Sequence, residues 1–259
     1  VHRIWYSGGE TVYISVRVEG YNERILMLVD ISEPNIPKEI SRWWFPGMWV
    51  AGNEKTDWPV NGQSIGVHHA IVHNDRAYAG FWGGGMLILD ISDPSKPGLI
   101  THTKWKPGEG GSTHTAMPLP KRNLLVVTDE STADDCKEEP RRVRLFDISD
   151  EKKPRLVSMF PEPRGNFCER GGRFGPHNVH ENRPGAYCSD RFIYVTYFNA
   201  GLRVFDIDDP KNPQEIAYYL PPCPQNQKTI QTNDVFVAEN GLIFISDRLN
   251  GGIDILEMV

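Results

Sequence analysis

No stretch of this chain stays apolar for the roughly 18 to 20 residues that a bilayer-spanning helix needs, so no transmembrane segment is expected. No charged-then-apolar leader opens it either. The chain begins at Val1 rather than Met, which leaves room for a leader or upstream segment and keeps both cytoplasmic and secreted locations open. Positive charge is short: 28 Lys and Arg against 34 Asp and Glu leave a net charge of −6. That balance excludes a protein built to neutralise phosphate backbones, so nucleic acid is not an expected partner. Four cysteines, at 136, 168, 188 and 223, are too few for a disulfide scaffold and lack the paired short spacings of a zinc ribbon. Disulfides and buried free thiols stay equally open. The Gly-rich pieces at 81–86 and 108–112 lack the strand-to-helix setting of a phosphate-binding loop, which argues against nucleotide binding.

Turn residues, in contrast, are plentiful. With 24 Gly and 20 Pro, about one residue in six, the composition disfavours an all-helical fold and suits short strands joined by tight turns. One phrase recurs: LMLVDISEPNIPKEI from Leu26, MLILDISDPSKPGLI from Met86, VRLFDISDEKKPRLV from Val143 and LRVFDIDDPKNPQEI from Leu202, with a weaker GIDILEMV at the end. The residue after each apolar run is Asp30, Asp90, Asp147, Asp206 and Glu257. Each phrase reads as a strand, a turn in which Asp and Ser bond their own backbone while Pro fixes φ, and a second short strand. Two further β-rich runs precede each copy, so a repeat holds four strands. Repeats of this length, with four strands each, predict an all-β, β-propeller fold. Five blades of four-stranded antiparallel sheet are visible, the last incomplete. They form a single domain over 1–259, with repeats near 1–45, 67–102, 113–160, 176–219 and 232–259. The last blade closes an imperfect five-bladed ring, or the chain is part of a longer propeller, or two copies complete one another as a homo-oligomer.

The repeated phrase resembles the LVIVD-repeat family of β-propellers, over essentially the whole chain. That resemblance implies the fold more firmly than an activity, because propellers host many unrelated functions.

About nine or ten residues before the second strand of each repeat stand His2, His68, His114, His177 and Asn233. The innermost strand of a blade starts at the mouth of the central channel, so these residues are expected to converge. Converging neutral imidazoles make a metal site, with Fe(II) favoured and zinc or copper as alternatives. The competing reading is structural: a repeated imidazole that ties each strand start to a turn Asp or a backbone carbonyl. The four-histidine arrangement resembles the carotenoid cleavage oxygenases, which hold a non-haem iron by one His from each of four blades. The likeness is one of site architecture, since the LVIVD phrase is foreign to that family.

Strand ends expected on the same face offer Glu130 and Asp129 as candidate general bases. His180, Glu181 and Asn233 are expected to support the ligands, His69 to face away, and His73 and His102 to be solvated near turns. Two long loops, 41–66 and 161–176, bring Trp43, Trp44, Trp49, Trp58 and Phe174. With Trp82 these aromatics form a candidate lid over an apolar or aromatic small molecule, and Arg173 or Arg248 could meet a carboxylate. The function expected is that of a metal-dependent oxygenase or oxidoreductase. A zinc-type hydrolase, hydratase or lyase is the second reading, and a non-catalytic binding propeller the third.

Overall fold

A computed structural model describes residues 1–55, 65–106, 108–249 and 251–259. Five antiparallel sheets follow one another along the chain. Blade 1 holds β1 (Arg3–Trp5), β2 (Thr11–Val16), β3 (Ile25–Asp30) and β4 (Lys38–Trp43). Blade 2 holds β5 (Gly66–His73), β6 (Arg76–Trp82), β7 (Gly85–Asp90) and β8 (Gly98–Thr103). Blade 3 holds β9 (Thr113–Leu119), β10 (Leu124–Asp129), β11 (Val143–Asp147) and β12 (Arg155–Met159). Blade 4 holds β13 (Phe192–Thr196), β14 (Leu202–Asp206) and β15 (Gln214–Tyr219). Blade 5 holds β16 (Thr232–Val237), β17 (Ile243–Asp247) and β18 (Ile253–Leu256). Helical structure among the described residues amounts to three single 3₁₀ turns, at Val50–Gly52, Pro120–Arg122 and Phe167–Arg170. None could cross a membrane.

Strands β3, β7, β11 and β14 carry the repeated phrase, and its Asp ends the strand in the same way each time. Asp30, Asp90, Asp147 and Asp206 accept the backbone N–H two residues on, at 2.8 to 2.9 Å. This is the side-chain turn expected of Asp in that setting. The last blade has three strands, as the sequence implied. Blade 4 also departs from four regular strands. Its inner segment, 177–180, is tied to β13 through the Val179–Val195 bridge and the His177 and His180 amides. The Asn178 amide bonds the Thr196 hydroxyl at 3.1 Å.

The core lies between blades. One cluster joins Trp5, Ile71, Met117, Val126, Val179, Val195 and Phe205 from the first four blades. A second, around Leu28, Met48, Val67, Phe81 and Leu87, seals blade 1 against blade 2. The seam on the far side of blade 5 is looser. Phe236, Phe244 and Ile255 stand in register across its three strands, with Phe236 44% and Ile255 60% exposed. A cleft of about 390 Å³ runs along this face, lined by Arg3, Glu181, Arg183, Phe236, Phe244 and Ile253.

Cys136 and Cys168 form a disulfide, while Cys188 and Cys223 are free and exposed, so neither free thiol is buried. The bridge ties the loop after β10 to the segment that precedes Arg173.

Candidate functional site

The inner strands bring the repeated imidazoles together. Ring centroids of His2 and His68 lie 4.5 Å apart, those of His68 and His114 3.9 Å, and those of His114 and His177 4.6 Å. His68, His114 and His177 are each under 5% exposed, whereas His2 is open to solvent.

Two devices aim these side chains inward. The first is a β-bulge. Pairing skips from Val67 to His69, from Thr113 to Thr115 and from Thr232 to Asp234, so His68, His114 and Asn233 are the extra residues. A bulge turns a side chain out of the regular alternation, which is why such features gather at sites. The second is a set of contacts across blade boundaries. Opposite the residue that follows each axial position stand Ser15, Gly80, Thr128, Thr196 and Ser246 on the second strands. The Thr128 hydroxyl donates to the His177 carbonyl at 3.2 Å and that of Thr196 to the Asn233 carbonyl at 3.1 Å. Ser15 donates to the Val67 carbonyl at 2.6 Å. At Gly80 the blades approach so closely that a Cβ would lie 2.3 Å from the His114 carbonyl oxygen.

The imidazoles use the same boundaries. His68 Nδ1–H donates to the His114 carbonyl at 3.0 Å, and His177 Nδ1–H to the Asn233 carbonyl at 2.7 Å. His114 Nδ1 pairs with the Thr115 hydroxyl at 2.8 Å. A neutral imidazole carries one proton, so His68 and His177 present a bare Nε2. His2 and His68 meet Nε2 to Nε2 at 2.8 Å, which makes His2 the donor of that contact. All four rings are held neutral. Partial desolvation against His68, aided by the positive charge of Arg24 and Arg3, lowers His2 from 6.5 to about 4, and burial lowers His177 to about 3. Burial also pushes His68 and His114 well below 6.5.

Glu130, just past β10, supplies a carboxylate beside them. Its oxygens lie 3.7 Å from His177 Nε2, 4.0 Å from His114 Nε2 and 3.0 Å from Arg173 Nη1. Burial raises its pKa, against the pull of Arg173 and Arg248. Ligand atoms of His68, His114 and Glu130 fall within 4.8 Å of one another, a spacing that one metal ion could draw together.

The other expected residues divide. Trp82 stacks on His68 at 5.3 Å, and Arg24 lies over its ring. Arg173 and Arg248 both lie over Phe198, itself stacked on His177 at 4.7 Å. Asn233 contributes its carbonyl, while its buried Oδ1 has no hydrogen-bond partner. Asp129 is placed elsewhere. It is fully buried against Arg144 at 2.8 Å and Thr113, and none of its contacts is with an axial imidazole. His180 fastens blade 4 to blade 5, accepting from the Val237 amide and donating to the Tyr187 carbonyl. Glu181 pairs with His69 at 2.8 Å and with Arg183, which lies over Trp5. His102 is not a solvated turn residue. It donates to the Gly84 carbonyl at 2.6 Å and packs against Phe45 and Phe81.

The expected tryptophan lid is only partly present. Trp43 ends β4 and is buried in the core between blades 1 and 2. Trp44 donates to Glu54 and packs edge-on against Trp49. Phe174 stacks on Phe167. Trp58 lies outside the described residues. The sequence reading missed Arg3, Arg24 and Phe198. Position two beyond the boundary residue of β6, β10, β13 and β17 is Trp82, Glu130, Phe198 and Arg248, so the repeat register held the signal.

The LVIVD repeat pattern matches residues 70–103 and 187–220. No curated protein sequence matches the chain. Among solved structures, the β-propeller domain of Cps50 (Swd1) from Myceliophteria thermophila is similar at a TM-score of 0.60 and 13% identity, over 96% of this chain and 67% of that one. The periplasmic gluconolactonase PpgL of Pseudomonas aeruginosa gives 0.59 and 12%, over 96% and 67%. BamB from Moraxella catarrhalis gives 0.58 and 11%, over 99% of this chain and 58% of that one. Likeness at these identities establishes the propeller fold alone.

Proposed function

We propose that this five-bladed propeller with LVIVD repeats is a metal-dependent enzyme whose ion is held on the channel axis by His68, His114 and His177, with His2 and Glu130 completing the set. The observation that carries the reading is the division of labour within His68 and His177. In each, Nδ1 is spent on a carbonyl of the neighbouring blade and Nε2 keeps its lone pair, that of His177 lying 3.7 Å from the Glu130 carboxylate. A ligating histidine is ordinarily oriented in this way, through its other nitrogen. The donors also suit the ion, being neutral nitrogen and carboxylate oxygen in a buried setting.

The preferred activity is oxidoreductase or oxygenase chemistry on a small apolar or aromatic molecule, with Fe(II) as the metal. Imidazole-rich sets with one carboxylate and open positions serve such iron sites. The bound ion would supply redox or Lewis-acid chemistry. The chain's own part is to exclude water at His114, to present Trp82 and Phe198 as apolar walls, and to close the ligand set with the Glu130 carboxylate. A zinc-type hydrolase or lyase is the second reading. It is favoured by Glu130 itself, whose raised pKa and place beside two Nε2 atoms suit a general base.

Elemental analysis tests the reading, on the purified protein and on His114→Ala and His68→Asn variants prepared identically under metal-replete growth. Asn keeps a donor near the position of Nδ1 and lacks Nε2. Stoichiometric metal is expected in the parent, lost in His114→Ala and held at least tenfold more weakly in His68→Asn. Iron with dioxygen uptake would favour the first activity, and zinc the second. Metal absent from all three proteins would overturn both and leave a binding propeller.

A further inference from the structure

We propose that the substrate of the axial site is an organic carboxylate, docked between the guanidinium groups of Arg173 and Arg248 above Phe198. The inference rests on the placement of the small-molecule site at the histidine mouth. It names the chemical class that this mouth would take.

Four arginines gather there, and three have acidic partners. Arg3 lies 3.9 Å from Asp234, Arg24 3.3 Å from Glu23, and Arg173 3.0 Å from Glu130. Arg248 has no hydrogen bond or ion pair from its side chain to any described residue. The adjacent Asp247 is turned to the backbone and accepts from the amides of Gln231, Leu249 and Gly251. Arg248 and Arg173 nevertheless share one aromatic ring, with their Cζ atoms 5.1 and 5.6 Å from the centre of Phe198. Two like charges against one ring repel each other, and an anion between them would offset that repulsion. Their donors are available. Arg173 uses only Nη1, toward Glu130 and the Ser131 carbonyl, so the rest of its fork is open.

Planar forks with free N–H groups match a carboxylate, and such paired hydrogen bonds are both stronger and more directional than neutral ones. The whole chain carries −6, yet at the mouth the four arginines are matched only by Asp234, Glu23, Glu130 and the backbone-bound Asp247 while the imidazoles are neutral, so a divalent ion would leave a positive excess there. Phe198 is stacked on His177. A carboxylate over Phe198 would therefore set the rest of its molecule against the imidazoles and Trp82.

The test measures binding of benzoate, its neutral counterpart benzamide and inorganic phosphate by calorimetry, on metal-stripped and metal-loaded protein. The same measurements are made on Arg248→Gln and Arg248→Lys, with metal content determined in parallel. Benzoate is expected to bind at least tenfold more tightly than benzamide or phosphate in both metal states. Arg248→Gln should lose at least tenfold in benzoate affinity, and Arg248→Lys an intermediate amount, with metal content unchanged. Benzoate binding equal to benzamide, or unaltered in Arg248→Gln, would overturn the proposal even if metal is bound. Phosphate binding more tightly than benzoate would overturn the carboxylate assignment. If metal is absent while benzoate still depends on Arg248, the anion site stands and the metal reading falls.

Discussion

The repeat places two kinds of residue at fixed positions, and they differ in how much of their chemistry the fold consumes. At the outer turn, each repeated Asp is exposed or half-buried and bonds the amide two residues on. Nothing about it is left unexplained, since the side chain closes its own turn. At the channel mouth, three of the four repeated His side chains are buried; Nδ1 of each is bonded, while Nε2 of His114 and of His177 has no hydrogen bond to a described residue. The carbonyl-tie reading of the histidines therefore holds for one nitrogen of His68 and of His177, whereas His114 uses a hydroxyl. Burial of a nitrogen lone pair with no fastening task is what separates a position repeated for the fold from one available for chemistry.

The sharpest way to break this contrast is to disturb the boundary that aims the ring. Gly80→Ala would place a Cβ within 2.3 Å of the His114 carbonyl oxygen and 2.5 Å of its carbon. These are backbone atoms that cannot rotate aside. A loss of roughly 2 to 3 kcal/mol is expected from such overpacking, read as a lower denaturation midpoint. Because the same carbonyl accepts from His68 Nδ1, metal affinity should fall with stability. Stability lost with metal binding intact would show that the ring is aimed by something else.

The propeller was legible because its signal is redundant. Four copies of a strand and a Pro-bearing turn, with a fifth strand at the end, fix the period, and the step from one copy to the next locates each blade. Convergence of His2, His68, His114 and His177 was legible for the same reason, as equivalent positions meet on an axis. What could not be read was the second tier. Asp129 and Glu130 are adjacent and alike in the sequence. The bulge at His114 in β9, opposite the end of β10, and the fully buried Arg144 send one into the blade and leave the other at the mouth. Trp43 looked like a loop aromatic, yet β4 extends far enough to bury it. Arg248 was legible as a possible carboxylate partner at a strand end, but Phe198 carries no motif of its own, and the stacking of one on the other beside His177 comes from the fold.

Acid should sharpen the contrast next. His177 titrates at about 3 in the folded chain against 6.5 when unfolded, and His68 and His114 are also displaced downward by burial. The unfolded chain therefore binds more protons below 6.5, so stability is complete above that pH and declines as pH falls through it. Each buried imidazole contributes about 1 kcal/mol of loss between pH 6.5 and 5.5. Glu130, held up by burial, acts in the opposite sense nearer 4.5. Denaturant midpoints of metal-free protein across this range, compared with His68→Asn, isolate one ring: the variant's slope should be shallower by that amount. An unchanged slope would mean that His68 is not held neutral by burial.

The smallest effect belongs to the turn. Asp30→Ala removes the acceptor of a solvent-exposed bond from the Ser32 amide, which water can replace. Its melting temperature should drop only slightly, by less than in Gly80→Ala, and its metal content and benzoate affinity should match the parent protein. The turn lies at the outer end of its strand and shares no contact with the axial imidazoles, so the two positions should behave additively. A measurable loss of metal in Asp30→Ala would mean that the repeated turns hold the blade angle on which the axial Nε2 atoms depend. The division between fold-making and chemistry-bearing repeat positions would then no longer hold.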